Sequence, residues 1–178
     1  MMNDLEQRLI QTIRDVPDFP KPGILFKDIT PVLSDAALSA QVLDALAEYW
    51  SKKGIGAVAG IESRGFLFGS QLAIRLGVPF IPIRKKGKLP YKTIGHAYDL
   101  EYGSAEIEIH VDAVLPGQKV LIHDDLLATG GTAGATAQLI QKAGGTVSGF
   151  SFLIELSFLK GAEELKSYSM DIHSILKY

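Results

Sequence analysis

Two adjacent carboxylates, Asp124 and Asp125, stand in the stretch VLIHDDLLATGGT (120–132), where an apolar run gives way to a glycine turn. Neighbouring carboxylates repel each other and lose hydration on burial, so a turn gains nothing structural from holding two. A ligand with neutral hydroxyls changes the balance, because each hydroxyl can donate to a carboxylate in a bond worth roughly 1.5–3 kcal/mol. The Thr129-Gly130-Gly131-Thr132 turn can aim several backbone N–H groups at one anion, and a helix starting there adds its dipole. Hydroxyls beside an anion describe a sugar phosphate, and a ribose 5-phosphate with its 2′,3′-diol meets both demands. A strand end with two solvated aspartates and a glycine-capped turn has the same pattern.

Other segments offer complementary chemistry. In GIESRGFLFG (60–69), Ile61 occupies the first glycine position of a serine-hydrolase elbow, so Ser63 is not read as a nucleophile. A backbone-lined anion loop carrying Arg64 fits better than that elbow; an ordinary strand-to-helix turn is the plainer reading. Arg84, Lys85, Lys86 and Lys88 crowd a strand end in IRKKGKLP. Such a run is a solvated surface or a set of cationic contacts for a polyanionic leaving group. Glu101, in LEYG, is a charged turn residue or a carboxylate over a reacting centre, and Phe26, in GILFKDI, is a core residue or a stacking face. Histidines 96, 110, 123 and 173 show no metal-ligand spacing, and His123 reads as a strand histidine. Neither a Walker A pattern nor a Rossmann G-x-G-x-x-G occurs.

These residues need elements to hold them. In NDLEQRLIQTIRDV, Leu5, Leu9, Ile10, Ile13 and Val16 share a helical face, with Asn3 or Asp4 as cap. PDFPKPGILFKDITPVL carries four prolines and is irregular except for GILFKDI. SDAALSAQVLDALAEYWSKKG (34–54) reads as a capped amphipathic helix ending at Gly54. Beyond it, apolar strands at 57–61, 79–84, 119–125 and 147–156 alternate with helices at 65–77 and 131–145, and 171–176 is a fifth strand candidate. Continuous apolar strands alternating with helices predict an α/β domain, a central parallel sheet flanked by helices. Ligands then bind at the carboxyl ends of strands, where the acidic pair falls. Residues 85–118 break the alternation; segments 96–102 and 105–111 flank Gly103-Ser104 and read as a hairpin.

A chain of 178 residues with 47% hydrophobic and 21% charged residues suits a single domain, 1–178. The net charge of -2 and pI of about 6.1 argue against nucleic-acid binding through bulk charge. Without cysteine there are no disulfides and no thiolate metal sites. The charged start MMNDLEQRLIQTIRDV lacks the apolar core of a signal peptide, and no run of about 18 apolar residues marks a membrane span. The expectation is a cytoplasmic protein with neither membrane nor nucleic acid as partner.

VLIHDDLLATGGT resembles the 5-phosphoribosyl 1-pyrophosphate (PRPP) signature of type I phosphoribosyltransferases. FPKPGILFKDITPVL, IESRGFLFG, IRKKGKLP, LEYGSAEIEIH and IELSFLKG occur in the order and spacing of the adenine phosphoribosyltransferases, so the resemblance runs from about residue 17 to the end. It implies a type I phosphoribosyltransferase fold with a small N-terminal hood, mainly 17–33, and a flexible catalytic loop, about 86–110. The implied reaction is adenine plus PRPP to AMP plus pyrophosphate, a purine-salvage step, with Mg2+ carried by pyrophosphate and no direct protein ligand.

By resemblance, Asp124 and Asp125 hold the ribose hydroxyls, and Ala128, Thr129, Gly130, Gly131 and Thr132 hold the 5′-phosphate. Glu62, Ser63 and Arg64, with Arg84, Lys85 and Lys88, take pyrophosphate, and the loop's unusual cis peptide falls at Glu62–Ser63. Glu101 is the catalytic carboxylate, stabilising charge at the anomeric carbon or assisting proton movement on the purine. Leu25, Phe26, Lys27 and Leu159 line the adenine pocket. Two positions depart from the family pattern: Glu62 stands where many relatives have aspartate, and Lys27 where arginine is frequent. A homodimer is implied, with basic residues of the 84–88 run reaching across it. A 6-oxopurine phosphoribosyltransferase is the alternative enzyme. A PRPP-sensing, nucleic-acid-binding regulator of the same fold fits less well with an acidic pI and a retained Glu101.

Overall fold

Asn3 starts the first helix by accepting a hydrogen bond from the Glu6 N–H, while the Glu6 carboxylate accepts one from the Asn3 N–H. This reciprocal cap satisfies two donors that a helix end leaves unpaired. The computed structural model describes residues 3–19, 21–99 and 104–178; Glu101 and the tip of its hairpin lie outside them. Helix α1 (Asp4–Thr12) is shorter than the periodicity predicts, because Arg14–Pro17 forms strand β1 instead. Val16 precedes Pro17, a position biased away from helical backbone, and β1 pairs antiparallel with β2 (Leu25–Asp28). The helix predicted over 34–54 forms as one piece, over Ala36–Trp50, and ends short of Gly54. A short α2 (Thr30–Leu33) precedes α3 (Ala36–Trp50), and the Asp35 carboxylate accepts from the Leu38 N–H.

The chain divides into two compact units, Met1–Ala45 and Leu46–Tyr178. In the first, Arg8 joins Gln41 at 2.6 Å and Asp35 at 3.4 Å, and Leu9 and Val32 are fully buried.

The second unit is built on β3 (Ala57–Ile61), β4 (Phe80–Lys85), β5 (Thr93–Asp99), β6 (Ser104–His110), β7 (Lys119–Leu127), β8 (Thr146–Glu155) and β9 (Ile172–Lys177). They form one sheet in the order β5-β6-β4-β3-β7-β8-β9. β4, β3, β7, β8 and β9 run parallel, as the apolar strands predict. The predicted hairpin adds two antiparallel strands to this parallel set. β5 and β6 are antiparallel to each other, and β6 continues the sheet antiparallel to the end of β4. β5 also begins at Thr93, before the expected 96, and Ile94 and Tyr98 pack on the core from it.

Helices α4 (Gly65–Leu76) and α5 (Gly131–Lys142) connect parallel strands, which is why all five residues of β3 are buried. The core brings Ile83, Ile109, Ile122, Leu139 and Phe150 together from five elements. After β8 come a 3-10 turn (Ser157–Leu159) and α6 (Gly161–Leu165), both too short for periodicity to reveal. Among the described residues no helix is long and apolar enough to cross a membrane.

Candidate functional site

β3 feeds β4 on one side, whereas β7, β8 and β9 follow in order on the other. Strand order therefore reverses between β3 and β7, the place where an open sheet leaves a crevice at its carboxyl edge. Gly60 pairs with His123, so the Glu62-Ser63-Arg64 turn after β3 emerges beside Asp124 and Asp125. The Glu62–Ser63 peptide is cis, as the resemblance implies. A Cβ at Gly65 would lie 2.8 Å from the His123 carbonyl and 3.0 Å from Asp124 Oδ1, so glycine lets α4 start directly against β7.

The charged groups are paired across this crevice. Arg64 Nε donates to Asp125 Oδ2 at 2.6 Å, and the Asp125 side chain is buried. Arg84 Nε donates to Glu62 Oε2 at 3.1 Å and its Nη1 to the Lys88 carbonyl at 2.9 Å. Glu62 Oε2 also accepts from the Lys85 N–H at 3.0 Å. Burial pushes the Glu62 pKa up, but the Lys85 N–H and the Arg84 guanidinium outweigh it and hold the carboxyl below its usual range. Asp124 behaves oppositely. Burial, then the charge of Asp125, raises its pKa well above the ordinary aspartate value, although the Asp125 N–H donates to its Oδ1 at 2.8 Å.

Three cavities meet at Asp124. One of about 220 Å3 is lined by Glu62, Ser63, Arg64, Lys85, Asp124 and Asp125. A second, of about 100 Å3, is enclosed by Ala128 to Ala133, with Asp124 and Phe152 in its wall. The third, of about 540 Å3, includes Arg84, Lys85, Lys86, Tyr98, Asp124 and Thr132. The second is framed by Gly130, at φ 88, which turns the chain into the first residue of α5. A loop of N–H groups at a helix start suits an anion. Asp124 thus borders both the Glu62-Ser63-Arg64 hollow and the loop hollow at the start of α5.

The sequence-predicted residues of the adenine pocket are distributed differently. Leu25, Phe26 and Lys27 belong to β2 in the first unit. Leu25 is 49% exposed, Phe26 meets Phe19 edge to face at 5.1 Å, and Lys27 Nζ is paired with Asp15 at 2.6 Å. Leu159 lines a further cavity of about 510 Å3, behind the Ala128–Thr132 loop, with Thr129, Gly130, Lys160 and Tyr168.

Two residues escaped the sequence reading. Glu108, within the hairpin arm read over 105–111, is buried, and its Oε1 accepts from the Lys88 and Leu89 N–H groups at 3.1 and 3.0 Å. Burial raises its pKa, but backbone donors at Leu89, Gly87 and Lys88 and the Thr93 hydroxyl bring it below the usual value. It holds the turn that presents Lys88. Tyr98 is the other, its hydroxyl reaching Thr132 across thirty-four positions of sequence. No local pattern announces either contact. His123 is fully buried, and burial lowers its pKa to about 4, so it is neutral near pH 7. Among the described residues no three His, Cys, Asp or Glu side chains converge as a metal site.

Comparison with known proteins agrees with this geometry. The phosphoribosyl transferase domain family matches residues 33–174. An adenine phosphoribosyltransferase of Cytophaga hutchinsonii is 53% identical over 174 residues, covering 98% of this chain and 96% of its own. The crystal structure of adenine phosphoribosyltransferase from Thermoanaerobacter pseudethanolicus matches with a TM-score of 0.93 at 51% identity, over 97% of this chain and 99% of that one. That of Saccharomyces cerevisiae, complexed with D-2,5-dideoxy-2,5-imino-altritol 1,6-bisphosphate and adenine, matches with a TM-score of 0.88 at 38% identity, over 97% and 98%. The chain belongs to the adenine phosphoribosyltransferases, pentosyl-transferring enzymes with the type I phosphoribosyltransferase fold.

Proposed function

We propose that this chain moves the 5-phosphoribosyl group of PRPP to adenine, giving AMP and pyrophosphate, at a site centred on Asp124. One observation carries the assignment of residues: a single carboxylate borders both the Glu62-Ser63-Arg64 hollow and the Ala128–Thr132 hollow. A ribose with a phosphate group at each end requires that order. Asp124 and Asp125 accept from the 2′- and 3′-hydroxyls. Ala128, Thr129, Gly130, Gly131 and Thr132 hold the 5′-phosphate at the start of α5. Ser63 and Arg64, with Arg84, Lys85 and Lys88, receive pyrophosphate. Arg64 and Arg84 now serve Asp125 and Glu62, and pyrophosphate offers both guanidiniums a more highly charged partner. Asp125 is then released to the ribose.

The bond from the anomeric carbon to pyrophosphate breaks as adenine nitrogen approaches from the opposite face. Positive charge grows on the ribose, and Glu101 is placed to stabilise it or to manage the purine proton. Holding both reactants in line removes an entropic barrier that can reach roughly 7–11 kcal/mol. Leu159 is the adenine contact proposed within the second unit. Mg2+ carried by PRPP would supply further neutralisation of the leaving group, while Arg64, Arg84, Lys85 and Lys88 supply the protein's share. The working form is a homodimer, supported by Leu67 and Ile74 on the outer face of α4, 39% and 79% exposed. The cytoplasm is the proposed location, supported by a cysteine-free chain that needs no oxidising compartment.

The test is pyrophosphate release with PRPP and adenine, hypoxanthine or guanine. Release with adenine alone supports the reading, and release with hypoxanthine or guanine instead selects the 6-oxopurine enzyme.

A further inference from the structure

Tyr98 has no place in the chemistry above, yet its hydroxyl donates to Thr132 Oγ1 at 3.3 Å. β5 lies along α5 between two fixed points: this bond at the first turn and, at the last, Lys142 Nζ donating to the Gly95 carbonyl at 2.9 Å. Ile94 and Tyr98 of this strand also pack, half-buried, on the core. Tyr98 separates the cavity of about 540 Å3 from that of about 510 Å3, lining both. Thr132 lines the first of these and also the phosphate-loop cavity. A threonine hydroxyl has one hydrogen and two lone pairs. When it accepts from Tyr98, its own hydrogen points elsewhere, and a phosphate in the loop is the strongest acceptor available. Hydrogen bonds in series polarise one another, so a hydroxyl that accepts becomes a better donor.

We propose that Tyr98 is a positioning residue for the 5′-phosphate: it orients the Thr132 hydroxyl as a donor and links occupancy of the phosphate loop to the seat of the β5–β6 hairpin. The inference rests on the phosphate-loop assignment above. The coupling is reciprocal by linkage, so bound phosphate holds the hairpin on α5 and a seated hairpin tightens phosphate binding. The sequence separation explains why no local reading finds it.

Calorimetry with ribose 5-phosphate on the full chain tests this in a cycle of Tyr98→Phe, Thr132→Val and the double variant. Loss of one hydrogen bond in Tyr98→Phe should weaken ribose 5-phosphate about 3- to 10-fold and leave pyrophosphate affinity unchanged. In the Thr132→Val background the same change should do nothing further. Hydrogen exchange across residues 93–98 should slow when ribose 5-phosphate binds the unmodified chain, but not Tyr98→Phe. Thr132→Ser keeps the hydroxyl and should keep the sensitivity to Tyr98→Phe, which preserves the test if the valine variant does not fold. Equal weakening of ribose 5-phosphate and pyrophosphate, or the same loss with and without the Thr132 hydroxyl, would mean that Tyr98 merely supports the fold. If Thr132→Val weakens ribose 5-phosphate and Tyr98→Phe does not, this inference alone fails. If neither Thr132→Val nor Asp124→Asn/Asp125→Asn weakens it, the phosphoribosyl site is misplaced and the inference falls with it.

Discussion

At Asp124, burial and the charge of Asp125 both favour the protonated form, so the folded chain holds this proton more tightly than the unfolded chain does. Its contribution to stability therefore declines as pH rises from the ordinary aspartate range through the raised folded value. Asp124→Asn removes the penalty of ionising. Thermal unfolding at pH 7 should show a higher Tm, by about 2–4 °C for each kcal/mol relieved in a chain of this size. AMP affinity, measured by calorimetry, should fall because the carboxyl proposed to accept from the ribose is gone. A lower Tm with unchanged AMP affinity would remove both the electrostatic account and the ribose role. For Glu101 the expectation concerns rate. Glu101→Gln should retain PRPP binding and lower kcat, on the order of 10²–10³-fold if its charge acts in the transition state. Near-normal turnover would take that charge out of the mechanism.

The Ala128–Thr132 loop, proposed to hold the 5′-phosphate, is held at the scale of elements by backbone meeting backbone. A Cβ at Gly130 would lie 2.8 Å from the Gly161 carbonyl, and one at Gly161 would collide with the Ala128 carbonyl. The first residue of α6 is thus the rear wall of the loop that starts α5. Overpacking a tight contact typically costs about 1–3 kcal/mol. Gly161→Ala should accordingly lower Tm and weaken AMP about 10-fold, with pyrophosphate binding alone little affected; calorimetry with each ligand separates the two. Unaltered AMP affinity would show that the loop does not need this wall. Gly130 is legible from the sequence because two glycines in a Thr-Gly-Gly-Thr turn announce positive φ. Gly161 is not, since a lone glycine in SFLKGAEE looks the same in any helix start.

For the whole molecule, the open question of assembly turns on Arg84. It belongs to β4, whose end is paired with β6, and it contacts Glu62 and Lys88 within its own chain. If it also serves a neighbouring site in a dimer, Arg84→Ala chains mixed with Asp124→Asn/Asp125→Asn chains should regain one intact site per heterodimer. Activity should then recover toward one quarter of normal at equal mixing, on the order expected from random pairing of two chains into closed dimers. No recovery, with subunit exchange verified by mass, would confine Arg84 to its own site.

Short-range pattern was enough for much of this protein. The strands at 57–61 and 119–125, the helices after them and the acidic pair at a strand's carboxyl end are each written within a dozen residues. Burial on both sheet faces gives an apolar run, and a ligand loop gives a glycine turn. Contacts between distant segments were beyond such reading. Arg64 meets Asp125 sixty-one positions away and Arg84 meets Glu62 twenty-two positions away because β3 pairs with β7 on one side and β4 on the other. The hairpin's own alternation predicts two strands, but its place beside β4 and the seat of Tyr98 against Thr132 depend on which sheet edge is open and which helix lies beneath it. Strand partners are chosen by the packing of the whole sheet, and no stretch of sequence carries that choice alone.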